Sequence, residues 1–255
     1  MKTEAILTIK EGWAEILLQP DPPDKPPTID FSLLDQLEAH VRRLEEEPAC
    51  RALLLKSSSP KYFVVGANLE ALKQITLQTI SSWIERGHRV FNRIESLPFP
   101  TLAIVEGYAL GGGLELAMAC DLIYASQGAR FGQPEAALGF IPGWGGCTRL
   151  AERIGWTKAK ELIYTGRILE AEEAYSIGLL DFLGTSQQLE GKIQSTVEAI
   201  KKNSFVSITM AKKIINARML ESRARAVLEE ATASVVCMST GDTEKRLKEF
   251  FEKRR

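Results

Sequence analysis

Between Thr101 and Ala125 the chain reads TLAIVEGYALGGGLELAMACDLIYA: an apolar strand, three consecutive glycines at 111–113, then an apolar helical run. Few backbones accept that order. Glycines at a strand-to-helix junction let the chain turn sharply, and they let a ligand approach unprotected N–H groups at the helix start. Such donors can stabilise a developing oxyanion by roughly 3 or 4 kcal/mol each in a dry site. A tight structural turn would show the same glycines. Glu115 narrows the choice, because its neighbours Leu114, Leu116, Ala117 and Met118 are all apolar. A carboxylate there either turns to solvent, meets a cation such as Arg149, or is buried with its pKa raised. The helix N-terminus pulls the other way, toward the ionised form.

A second carboxylate sits on a comparable turn. In RFGQPEAALGFIPGWGG, Arg130–Gly146, Glu135 follows Pro134 and is flanked by Gly132 and Gly139. This predicts a rigid loop or a helix start, and by itself Glu135 could be no more than a first-turn helix residue. Two carboxylates, each tied to a glycine-rich turn, are what general acid–base work on one water requires.

Elsewhere the pattern alternates. Ala5–Lys10 and Trp13–Leu18 read as strands about a Glu11-Gly12 turn, and QPDPPDKPPT, Gln19–Thr28, reads as an extended loop. Asp30 or Ser32 caps a helix carrying Leu33, Leu34, Leu37, Val41 and Leu44. Ala52–Lys56 is a strand, Ser81–Ser96 a helix, and Thr101–Glu106 a strand after Pro98 and Pro100. Strands alternating with helices indicate an α/β class with largely parallel pairing. The composition shifts at Gly178–Asp181, and beyond Gln187 only amphipathic helices are expected. The chain therefore divides into an α/β core, 1–185, and a helical C-terminal region, 186–255.

Composition excludes several classes. The 255 residues carry 32 basic and 33 acidic side chains, a net charge of −1, which gives no field for nucleic acid or an anionic membrane. Cys50, Cys120, Cys147 and Cys237 form no CxxC pair, and His40 and His88 lie on separate segments, so no zinc site is expected. The cysteines read as small buried hydrophobes in a reducing compartment. No apolar stretch suggests a secretory signal or a membrane helix, and the expected address is cytoplasmic.

Several stretches together resemble a known family. GYALGGGLELAMACDLIYA, then FGQPEAALGFIPGWGG and Arg149-Leu150, looks like the enoyl-CoA hydratase signature of the crotonase superfamily. FVVGANLEAL, Phe63–Leu72, resembles that family's first oxyanion-hole loop. YTGRILEAEEAYSIGLLD, Tyr164–Asp181, resembles the segment closing its core, and EFFEKRR, Glu249–Arg255, its tail.

The resemblance implies a spiral core of repeated ββα units with a helical C-terminal trimerisation region. It implies syn addition of water to the C2–C3 double bond of a 2-enoyl-CoA through a stabilised enolate. The N–H groups of Ala67 and Gly112 would form the oxyanion hole. Glu115 would activate the water and Glu135 would supply the proton. Backbone near Ala67, Asn68 and Leu69 would follow the thioester arm, with no metal and no cofactor beyond the coenzyme A of the substrate. Phe250 and Lys253 match tail positions that reach a neighbouring subunit's CoA in a homotrimer or homohexamer. Lys212 and Lys213 are read as solvated or as further CoA contacts. Three departures stand out: Asn68 replaces the usual Asp, PPT at Pro26–Thr28 displaces the usual Asn-Ala-Leu, and Trp144 with Cys147 replace smaller or polar residues. Trp144 either shapes the acyl pocket or serves packing. Competing expectations are an enoyl-CoA isomerase or other enolate-forming enzyme, and a silent CoA-binding scaffold. Both glutamates being present favours hydration.

Overall fold

The computed structural model describes residues 2–239 and 241–253, with the side chains of 217–226, 229 and 242 outside the description. β1 (Lys2–Lys10) and β2 (Trp13–Asp21) form an antiparallel hairpin, three residues longer at either end than the sequence pattern suggests. Alternate residues Ala14, Ile16 and Leu18 are fully buried, as one covered face of a strand requires. After the proline-rich loop, α1 (Phe31–Glu45) starts at Asp30, whose Oδ1 accepts from Leu33 N at 2.8 Å.

Three ββα units follow. The first is β3 (Leu53–Ser57), β4 (Tyr62–Val64), α2 (Leu69–Lys73) and α3 (Ile80–Glu95). The second is β5 (Thr101–Val105), β6 (Tyr108–Leu110) and α4 (Gly112–Met118). The third is β7 (Leu122–Ser126), β8 (Arg130–Gly132), a 3₁₀ turn (Pro134–Leu138), α5 (Gly146–Ile154) and α6 (Trp156–Thr165). β9 (Ile168–Glu170), α7 (Ala171–Ser176) and β10 (Phe182–Gly184) close the core, and α8 (Ser186–Lys202), α9 (Phe205–Ser239) and α10 (Asp242–Glu252) form the C-terminal helical region.

In each unit the first strand joins one sheet and the second joins another. The large sheet has the order β1-β2-β3-β5-β7-β10, parallel from β2 onward, and the small one β4-β6-β8-β9. β5 is buried along its whole length, as befits a parallel strand covered on both faces. The main core fills one face of the large sheet; on the other, Leu54, Leu102, Ile104 and Tyr124 meet Leu189 and Val197 of α8. Each such aliphatic side chain contributes about 1.5–3 kcal/mol on burial. The small sheet is what positions the site. Its neighbours β4, β6 and β8 run parallel, so their carboxyl ends open side by side.

Candidate active site

Each of those three strand ends delivers one piece of the sequence motif. After β4, the 65–68 loop is fastened to the proline-rich segment: Val65 N donates to Pro27 O at 3.0 Å, Ile29 N to Gly66 O at 2.9 Å, and Asn68 N to Ile29 O at 2.7 Å. Asn68 also caps α2, its Oδ1 accepting from Glu70 N and Ala71 N at 3.0 and 3.1 Å, while Nδ2 donates to Thr28 Oγ1 at 3.1 Å. An Asp could cap the helix equally but could meet Thr28 only by accepting from its hydroxyl. Two departures from the family pattern, Asn68 and the PPT segment, are therefore partners of each other.

These bonds occupy Val65 N, Gly66 O and Asn68 N and leave the N–H of Ala67 without a partner among the described residues. The same holds for Gly112 N at the start of α4. The two loops are adjacent, since a Cβ built on Gly66 would lie 3.8 Å from Gly112 N. Gly111 makes the turn with φ +52° and ψ −127°, a conformation that only glycine adopts without strain. A Cβ there would also lie 2.9 Å from Glu135 Oε1, so the third loop closes directly over the glycine turn.

Glu115 is buried on α4. Its Oε1 accepts from two backbone amides, Trp144 N and Gly146 N, both at 2.7 Å. It does not meet Arg149, as the sequence allowed. Arg149 donates instead to Trp144 O at 2.9 Å and pairs with Glu95 at 3.0 Å. Oε2 of Glu115 accepts nothing from the described residues. Burial pushes the Glu115 carboxyl well above its ordinary range, and the charges of Glu135 and Glu230 add to the rise; the two amides oppose it. Glu135, in the first turn of the 3₁₀ segment, is pushed up to about 8 by burial. Oriented with its nitrogen toward Glu135, the amide of the fully buried Gln133 donates to both carboxylate oxygens at 2.9 and 3.0 Å.

Both glutamates, Ala67, Gly112 and Trp144 line one cavity of about 120 Å³. Trp144 shapes this cavity and packs as well. Its indole N–H donates to Trp83 O at 3.2 Å, its ring lies 4.8 Å from that of Trp83, and a Cβ on Gly87 of α3 would fall 2.2 Å from it. Gly87 costs α3 about 1 kcal/mol of helix propensity, and the room it leaves for this indole is the reason.

A wider groove of about 960 Å³ continues from the cavity, lined by Ala67, Asn68, Leu69, Tyr62, Tyr108 and Phe250 among others. The resemblance has the tail reaching a neighbour. In the structure α10 closes on its own chain: Thr243 Oγ1 donates to Gly139 O at 2.8 Å, and Phe251 lies 4.0 Å from Lys73 Nζ. Lys253 is exposed at the end of α10, and Arg254 and Arg255 are outside the described residues. Lys212 is neither solvated nor near the groove, since its Nζ is held by Asp121 at 2.7 Å and by Phe99 O at 2.9 Å. Lys213 is exposed.

Sequence reading missed Gln133, Trp83 and a buried pair, His88 and Glu230, whose carboxylate accepts from Gly145 N. Only Gln133 left a signal, as a polar residue between a buried strand and the proline preceding Glu135. All four cysteines are free thiols, with Cys50 and Cys120 buried. Among the described residues no group of His, Cys, Asp and Glu could hold a metal, and no helix is long and apolar enough to cross a membrane.

Paired carboxylates over two adjacent unpartnered amides, on a spiral of ββα units, define a crotonase-type site. Comparison agrees: the family described as "Enoyl-CoA hydratase/isomerase" matches residues 8–255. The chain belongs to that family, within the crotonase superfamily. It is 32% identical over 255 residues to the "Short-chain-enoyl-CoA hydratase" of Clostridium acetobutylicum, covering 100% of this chain and 97% of the relative. It is 34% identical over 220 residues to the "Crotonyl-CoA hydratase" of Syntrophomonas wolfei, covering 86% and 85%. Among solved structures, an enoyl-CoA hydratase from Bacillus anthracis aligns with a TM-score of 0.79 at 30% identity, over 99% of this chain and 97% of that one.

Proposed function

We propose that the chain is an enoyl-CoA hydratase that adds water syn across the C2–C3 double bond of a short-chain 2-enoyl-CoA. One observation carries this reading: Glu115 and Glu135 line the same cavity as two unpartnered amides, Ala67 N and Gly112 N. The thioester oxygen accepts from both amides, which stabilises the enolate more than the ground-state carbonyl. Two carboxylates in one apolar site tolerate one negative charge between them, and they titrate as a pair. The amides at Glu115 Oε1 offset part of the rise that burial and the neighbouring acids impose on Glu115, whose other oxygen takes the proton from water attacking C3. Glu135, held protonated up to about pH 8, donates to C2.

Cavity size supports a short chain. About 120 Å³ is less than the roughly 150 Å³ of an engineered cavity that admits benzene. The thioester arm then follows the groove past Ala67, Asn68 and Leu69, with Phe250 against it and Lys253 near phosphate. The same reading divides the chain into a core, 1–185, and a helical region, 186–255, and assembles it as a trimer or hexamer. Val206, Met210 and Ile214, exposed at four-residue spacing along α9, support assembly.

Purified protein is expected to remove the ultraviolet absorbance of crotonyl-CoA by hydration. A panel of 2-enoyl and 3-enoyl thioesters distinguishes the chemistry: turnover of 3-enoyl substrates alone would make it an isomerase, and tight CoA binding without turnover a scaffold.

A further inference from the structure

Three successive amides of the loop between the 3₁₀ turn and α5 are shared between two acids. Trp144 N and Gly146 N donate to Glu115 Oε1, each at 2.7 Å, whereas Gly145 N between them donates to Glu230 Oε2 at 3.1 Å. Gly145 has φ +99°, which lets the middle amide point away from its neighbours. Glu230 comes from α9 and is 4% exposed; the same Oε2 is 2.8 Å from Nε2 of His88 on α3, also 4% exposed. Its Oε1 is buried and has no hydrogen-bond partner among the described residues. A buried carboxylate of this kind is costly without hydrogen-bond partners, and among the described residues His88 and Gly145 N are the two it has at Oε2.

We propose that Glu230, braced by His88, is a positioning residue for Glu115: it holds Gly145 and so presents the amides on either side to one Glu115 oxygen. This rests on reading Glu115 as the water-activating group. Glu230 has no place in the cavity lining, so it acts through the loop and through its charge and not on substrate. Among the described residues, the ionisable groups facing it are His88 from α3, Glu115 from α4 and Cys147 from α5, whose thiol is raised first by burial and then by these acids. Arg149, one turn along α5, is committed to Trp144 O, Asn92 and Glu95.

Two variants separate the loop from the charge. Glu230→Gln keeps an acceptor for Gly145 N but removes the charge that makes Glu115 harder to ionise. The acid limb of its kcat/KM profile should move to lower pH, with kcat down only about threefold and KM unchanged. Glu230→Ala releases the loop as well, and misplacement on the ångström scale typically costs about 100-fold. Its kcat should fall by at least about 30-fold with KM within about twofold, most of which Glu230→Gln restores. A protein with Glu230→Ala that melts like wild type and keeps kcat and the acid limb would overturn the proposal. So would a Glu230→Gln protein whose kcat falls by about 30-fold or more, because its side chain still accepts from Gly145 N; that result decides the matter even if Glu230→Ala does not fold. The Glu115 carboxyl band, assigned in infrared spectra by subtracting Glu115→Gln, gives the same titration without turnover. Glu230→Ala loses the two amides as well as the charge, so its midpoint should lie above that of Glu230→Gln even if wild type hydrates nothing, and equal midpoints would sink the positioning role.

Discussion

Glu115 stands on a helix whose seven residues are all buried, and Glu135 on a five-residue 3₁₀ turn in which none is. Two amides fix one oxygen of the first. The second takes hydrogen bonds from the Gln133 side chain and from its own backbone N–H, and its turn is tied down from outside by Thr243 of α10 at Gly139. Identical side chains thus receive different supports. Burial raises both carboxyls, and the two backbone donors offset part of the rise at Glu115. Under the proposed roles, these different surroundings divide base from acid between two copies of one residue type.

The largest effect expected from breaking this contrast is at Glu115. Glu115→Gln can still accept both amides but cannot take a proton, so hydration should fall by about 10³-fold with little change in KM, measured on crotonyl-CoA. Glu135→Gln should cost about 10²-fold, since the enolate can still acquire a proton from water. If Glu135→Gln proved the more damaging, the division of roles would be reversed.

Glu135→Gln sharpens the comparison a second way. The fold holds this carboxyl protonated up to about 8, whereas in the unfolded chain it ionises near 4.5. Its stabilising protonation is complete below the unfolded value and is lost as pH rises through the folded one. The melting temperature of Glu135→Gln minus that of wild type should therefore grow between those two pH values, by at least about 3 °C, and then level off. A pH-independent difference would mean that Glu135 is ionised in the fold at neutral pH. The smallest effect is at the outer support. Thr243→Val removes the hydroxyl that Gly139 O and Cys237 O share, a loss of about 1 kcal/mol, and should lower the melting temperature by about 2–4 °C and kcat by about threefold. Unchanged kcat would show that the 3₁₀ turn does not depend on α10.

Much of the molecule was legible from pattern. Long helices such as α1 and α3 announce themselves by apolar periodicity, and Asp30 acts as the cap its residue type suggests. The small sheet was not legible, because β4, β6, β8 and β9 are three residues each, too short to show an alternation. Yet that sheet aligns Ala67, Gly112 and Glu135. Lys212 looked like an ordinary solvated lysine until Asp121, 91 positions earlier, was found beside it. Glu230 was equally silent, being one acid in a helix rich in charge.

By itself the sequence determined the α/β class, the glycine turn that frees Gly112 N, and the two glutamates that lie beside such turns. These follow from local chemistry: glycine permits what other residues forbid, and a charge among apolar neighbours needs a reason. Tertiary structure alone decided that Asn68 answers Thr28, that Trp144 rests in the space left by Gly87, and that Glu230 shares a loop with Glu115. Hydrogen bonding and burial act through space, so partners far apart along the chain carry no mark of each other until the fold brings them together.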